Sequence, residues 1–111
     1  MTTIRPESPA DHAAIHEVNR LAFGQDAEAK LVVGLRDGGF VRLSLVAEGD
    51  GMIVGHILFS RLPIITKTGV VEALALAPMA VIPSHQRRGI GTKLVEEGLR
   101  ACREAGHKIV V

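Results

Sequence analysis

One stretch of this chain leaves few folds open. Residues 70–82 form a long apolar run broken only by Glu72 and Pro78, and a short polar loop follows. Gly89-Ile90-Gly91 then opens a segment with helical periodicity that ends near Ala105, with Gly106 placed as its cap. Residues 107–111 turn apolar again. A strand, a crossover helix and a second strand require the two strands to lie parallel in one sheet, with the helix packed on a face of it. Pro78 cannot donate a ladder hydrogen bond, so a bulge or an unpaired stretch is expected within the first of these strands.

The remainder supplies further elements of the same domain. Residues 2–5 read as a short strand. Ser8-Pro9-Ala10-Asp11 is a helix start, with a capping serine, proline at the first helical position and an acid in the first turn. Ile15, Val18 and Ala22 continue that helix to about Phe23. A second helix is expected over 26–36, stopped by Asp37-Gly38-Gly39. Residues 43–48 and 52–60 flank Gly49-Asp50-Gly51 as a hairpin, and 61–69, with Pro63 and Gly69, reads as a loop. The order is β-α-α-β-β-β-α-β, an α/β class with a mixed sheet. The 111 residues suit a single domain over 1–111.

Composition narrows the function classes. With three Phe and no Trp or Tyr, the core must be aliphatic. A formal net charge of +1 gives no reason to expect nucleic acid or a membrane surface as partner. No run approaches the ~20 apolar residues of a membrane span, and the N-terminus lacks the apolar run of a signal peptide. The one cysteine, Cys102, excludes an internal disulfide and suits a reducing cytoplasm.

Chemistry concentrates at Ser84-His85-Gln86-Arg87-Arg88-Gly89-Ile90-Gly91-Thr92-Lys93. A helix start exposes unpaired backbone N–H groups and a partial positive charge. Gly89 and Gly91 let an anion approach the backbone. Arg87, Arg88 and Lys93 add positive charge, and no acid follows until Glu96. This is a site for a diphosphate or similar anion. It is not the dinucleotide fingerprint, because Leu94 stands at the last glycine position, and no Gly-Lys-Ser/Thr of a P-loop is present.

Gln86-x-x-Gly89-x-Gly91, preceded by Met79-Ala80-Val81, resembles the Q/R-x-x-G-x-G/A signature and the Leu-Ala-Val strand end of the GNAT N-acetyltransferases. Ile4-Arg5-Pro6 through Ala10-Asp11 looks like their first strand and helix, and residues 74–81 look like the YhbS type within that superfamily. The resemblance implies acetyl-CoA as cosubstrate and no metal. It implies pantetheine along Met79, Ala80 and Val81, and a diphosphate held by Gln86, Arg87, Arg88, Gly89, Ile90, Gly91 and Thr92. It implies direct transfer of acetyl to a primary amine of a small-molecule or peptide acceptor; the alternative is a CoA-binding module or fragment without turnover. It further implies that the chain stops within the fifth strand with the C-terminal strands missing. An exposed apolar edge at 107–111 would then be open to self-association, as in a homodimer.

The other polar residues that could carry chemistry each have an ordinary structural role as the alternative. Glu72 interrupts the apolar strand and is the candidate general base, against a plain strand-start glutamate. His85 precedes the anion loop and is a candidate phosphate contact, against the favoured reading of a simple loop histidine. His12 and His16 have i, i+4 spacing but no evident third ligand. His56 lies beside Gly55 in a strand and is a candidate to line the acceptor cleft, against the favoured reading of a partly buried structural histidine. Cys102 falls on one helical stripe with Leu94, Val95 and Leu99, which favours a core position over a covalent acetyl carrier.

Overall fold

Burial over residues 53–60 is unbroken, so this strand is covered on both faces. The computed structural model, which describes residues 2–111, shows what covers it. The strands are β1 (Thr2–Pro6), β2 (Val41–Gly49), β3 (Met52–Thr66) and β4 (Gly69–Val81), in the order β1-β2-β3-β4 with every pair antiparallel. The helices are α1 (His12–Phe23), α2 (Ala27–Asp37) and α3 (Ile90–Glu104), with single 3-10 turns at Pro9–Asp11 and Pro83–His85. Odd-numbered residues of β3 meet α3: a Cβ built on Gly55 would lie 3.0 Å from Leu94, and one on Gly98 would meet the Phe59 ring. The even-numbered His56 instead bonds Asn19 of α1. The sheet therefore lies between α1 and α3, with α2 packed beside α1.

α3 is held by a stripe at i+4 spacing, in which Ile90, Leu94, Gly98 and Cys102 are all buried. Gly98 is needed for that contact, because a Cβ there would sit 2.5 Å from the Phe59 ring edge. Gly98→Ala should therefore lower stability by about 1–3 kcal/mol through overpacking, although alanine is the better helix former. Chemical denaturation of the two proteins checks the sign, and an unchanged or raised midpoint would contradict this packing.

At the C-terminus, Leu74 N donates to Ile109 O (2.9 Å), Val111 N to Leu74 O (2.8 Å) and Leu76 N to Val111 O (3.1 Å). That is the parallel pairing expected of the crossover, but here it is an isolated bridge, Leu74 with Val110, rather than a buried strand. Ile109 and Val111 are exposed. The irregularity expected at Pro78 is present. Ile57 faces Met79 while Phe59 faces Leu76, so β4 carries one extra residue around Ala77-Pro78.

One expectation is corrected. Residues 61–69 are not a loop: 61–66 extend β3 and pair with 69–74 of β4 around a turn at Lys67-Thr68. Pro63 is tolerated because the β2 pairing of β3 ends at Ser60, leaving that edge free. Among the described residues, no helix is long and apolar enough to cross a membrane.

Candidate functional site

Where β4 ends and α3 begins, the molecule opens into a cleft of about 590 Å³. Met79, Ala80 and Val81 of β4 form one wall, and Ala22 and Phe23 at the end of α1 contribute to the lining. His85, Gln86, Arg87 and Gly89 come from the connecting loop, Ile90, Gly91 and Thr92 from the first turn of α3, and Val95 and Glu96 from the next turn.

Local interactions set this shape. The Gln86 side chain donates from Nε2 to the Val81 carbonyl at 2.8 Å, tying the loop to the strand end. Arg87 (φ 64°) and Gly89 (φ 81°) are both left-handed and turn the chain into the helix. Gly89 is the N-cap and makes no side-chain cap, and Ile90, Gly91 and Thr92 are the first residues of α3, whose amides have no intrahelical acceptor. A Cβ on Gly89 would meet nothing within 4 Å, whereas one on Gly91 would lie 3.2 Å from Met79. Gly91 thus lets the helix start close against β4, and Gly89 keeps the approach to the amides open. His85 is braced by Ser84 (2.9 Å) and by Asp50 of the β2–β3 turn (3.4 Å).

The charge is less one-sided than the loop's composition implies. Lys93 reaches instead to the Thr2 carbonyl (3.4 Å). Arg88 is not among the lining residues, which leaves Arg87 as the basic side chain in the lining, together with the acid Glu96.

Residues 7–111 match the model of the acetyltransferase (GNAT) family. The chain belongs to this family. It is 39% identical over 97% of its length to YhbS of Escherichia coli K12, an uncharacterised N-acetyltransferase, and spans 64% of that relative. A GNAT-family acetyltransferase from Brucella melitensis, solved in complex with acetyl-CoA, superposes with a TM-score of 0.89 at 38% identity, covering 99% of this chain and 73% of that one. E. coli YhbS solved in complex with CoA also gives 0.89 at 38% identity, over 98% of this chain and 60% of that one. The four-stranded sheet, the bulged β4 and the glycine-opened α3 are thus a GNAT fold.

Several candidate residues lie elsewhere. Glu72 sits on the outer part of the β3–β4 hairpin, some 20 Å along the strand from Met79 at ~3.3 Å per residue. It is exposed and paired with Arg61 at 2.8 Å, and that hydrogen bond holds its carboxylate below the ordinary value. A weakly basic group so far from the cleft is badly placed as a general base. His12 bonds Glu7 (2.9 Å) and lies with His16 at the α1–α2 groove. Among the described residues, no three His, Cys, Asp or Glu side chains cluster to hold a metal. Cys102 is buried in the core, and desolvation pushes its thiol up.

His56 is fully buried rather than partly so. Its Nδ1 lies 3.1 Å from Asn19 Nδ2 and its Nε2 2.9 Å from Ser44 Oγ. Desolvation, the largest influence, lowers its pKa from 6.5 to about 4. Sequence reasoning did not find Ala22 and Phe23, which reach the cleft only through the packing of α1. Val95 and Glu96 were findable, since they follow Thr92 by one helical turn.

Proposed function

We propose that this chain is the acetyl-CoA-binding part of an N-acetyltransferase that passes the acetyl group to a primary amine by direct attack on the thioester. The observation that carries this reading is the cleft at the end of β4, where a strand edge and a helix start meet. Antiparallel β3 occupies one edge of β4, and the parallel bridge on the other edge reaches only to Leu76. The outward backbone groups of Met79 and Val81, which flank Ala80, can therefore bond the amides of pantetheine as a neighbouring strand would. Backbone amides from Arg87 to Thr92 suit the diphosphate, with the Arg87 side chain beside them. Gln86 serves through its bond to Val81, which holds the loop in place.

In the reaction the amine nitrogen bonds to the acetyl carbon, the carbon–sulfur bond breaks, and the proton lost by the amine balances the departing CoA thiolate. The chain's share is positioning and exclusion of water. The acceptor is a small molecule or a peptide amine. We place the protein in the cytoplasm, where a single buried thiol stays reduced.

A second reading has its own support. The ionisable side chains lining the cleft are His85, Arg87 and Glu96, and the chain contains no Tyr. A CoA-binding module without turnover fits that lining too. Thiol release from acetyl-CoA across a panel of amines separates the two: release supports transfer, and binding without release supports the module.

Direct attack also requires that Cys102 carry no acetyl group. Its thiol is buried and kept protonated, the unreactive form. Cys102→Ala should cost about 1 kcal/mol of stability and leave turnover per folded molecule unchanged. Acetyl-Cys102 trapped at the rate of turnover would show a covalent route.

A further inference from the structure

On the α1 side of the sheet, Ser44, His56 and Asn19 form one directed chain of side-chain hydrogen bonds, and Glu7 lies at its Ser44 end, where Glu7 N donates to the Ser44 carbonyl (2.9 Å). Glu7 accepts from Arg36 (3.1 and 3.3 Å) and is bonded to His12 (2.9 Å). Burial pushes its carboxylate up, but bonds from Ser44, Arg36 and His12 outweigh this and keep it below the ordinary value. An amide nitrogen only donates, so Asn19 Nδ2 donates to His56 Nδ1 at 3.1 Å. That places the ring proton on Nε2, which donates to Ser44 Oγ at 2.9 Å. The same Asn19 Nδ2 donates to the Ile15 carbonyl at 3.0 Å. His56, Asn19 and Ser44 are 0%, 0% and 7% exposed.

This chain ends between the two walls of the cleft. Asn19 lies one helical turn, about 5 Å, before Ala22 and Phe23. His56 pairs with Ala80 across the β3–β4 ladder, one strand spacing of about 5 Å away. Among the described residues, Asn19–His56 is the one side-chain hydrogen bond joining α1 to the sheet. The N-cap of α1, Asp11, is tied to Arg5 of β1 (2.8 and 3.0 Å), and from there to the cleft the other contacts are apolar, through Ile15 and Val18. Apolar contacts are non-directional and tolerate sliding, whereas a buried hydrogen bond fixes a register.

We propose that His56 is a positioning residue for the cleft: through Asn19 it sets how far the α1 wall, Ala22 and Phe23, stands from the β4 wall, Ala80 and Val81. CoA affinity then depends on His56 Nδ1 without any contact between the ring and the ligand. The proposal rests on the CoA-binding reading for its effect on affinity, but not for its effect on the wall.

The two ring nitrogens can be tested separately. In His56→Asn the amide oxygen falls near the Nδ1 position and still accepts from Asn19, while Ser44 loses its partner. In His56→Gln the amide falls near Nε2, keeping Ser44 and losing Asn19. Each removes one buried bond, so the two should lose similar stability in thermal melts. CoA affinity, measured by calorimetry on folded protein, should drop about tenfold in His56→Gln and in Asn19→Leu, and stay within about threefold in His56→Asn. In ligand-free protein, the backbone amide NMR shifts of Ala22 and Phe23 should move in His56→Gln and hold in His56→Asn. Wild-type affinity and shifts in His56→Gln, or effects in all three variants that follow stability alone, would overturn the proposal. If wild-type protein does not bind CoA, the functional reading fails, and the NMR comparison still decides the role of His56.

Discussion

Calorimetry with Gly89→Val protein should show CoA binding weakened at least a hundredfold, the largest effect expected of any single change in the cleft. Two causes coincide at Gly89. Its φ of 81° lies where a β-branched residue is strained, at about 1–3 kcal/mol. Its missing Cβ faces open space beside unpaired amides at the start of α3, so a side chain there stands between the ligand and its donors. Gly89→Asn separates these causes, because asparagine tolerates the left-handed region. It should keep near-wild-type stability and still lose most of the affinity. The wild-type affinity should fall as salt rises, since the ligand is polyanionic. Wild-type affinity in Gly89→Asn would mean that the diphosphate does not sit on these amides.

The lining of this cleft is largely legible in the sequence because its parts are consecutive. Met79, Ala80, Val81, Gln86 and Gly89 through Thr92 are neighbours along the chain, and a strand that runs into a glycine-opened helix brings them together with little help from the rest of the fold. Pro78 was equally readable, since a residue without an N–H must interrupt a ladder. The α1 wall was not. Ala22 and Phe23 carry no local mark of function, and they reach the cleft only because α1 lies across β3 and β4.

Where the structure departs from the local sequence pattern, the cause is the pairing of distant strands. Pro63 and Gly69 carry the local signature of a loop, and the sequence does not tell that β2 stops pairing at Ser60, beyond which a proline costs β3 nothing on that edge. Glu72 stands out in the sequence as a charge in an apolar strand. The hairpin register sets it opposite Pro63, within reach of Arg61, on an exposed ribbon where a charge is unremarkable. Strand alternation gives His56 partial burial, because it does not reveal that helices cover both faces. With α1 above it and α3 below the sheet, the histidine is sealed, and its hydrogen bonds with Ser44 and Asn19 follow from that seal.

The same seal makes a second large effect measurable in the protein's acid response. A histidine whose folded pKa is lowered from 6.5 to about 4 by burial binds its proton readily only in the unfolded chain. Its contribution is therefore fully present above the unfolded value and is lost as pH falls towards the folded one. Over that window, at about 1.4 kcal/mol per pH unit, wild-type protein should lose roughly 3 kcal/mol of unfolding free energy. The carboxylates act lower on the scale. Asp11, held well below the usual range by Arg5 and Ser8, and Glu7 contribute stability that is lost only as pH falls below their unfolded values of 3.8 and 4.5. The loss between pH 6.5 and 5 thus belongs mainly to His56 among the groups with shifted affinities. Urea denaturation of wild-type and His56→Phe protein across this range isolates it. The variant starts less stable, because Ser44 and Asn19 lose a buried partner, but its stability should vary less with pH by about 2 kcal/mol between pH 6.5 and 5. Parallel curves for the two proteins would mean that His56 takes up its proton in the folded state as easily as in the unfolded one, and that the ring is not sealed between α1 and the sheet.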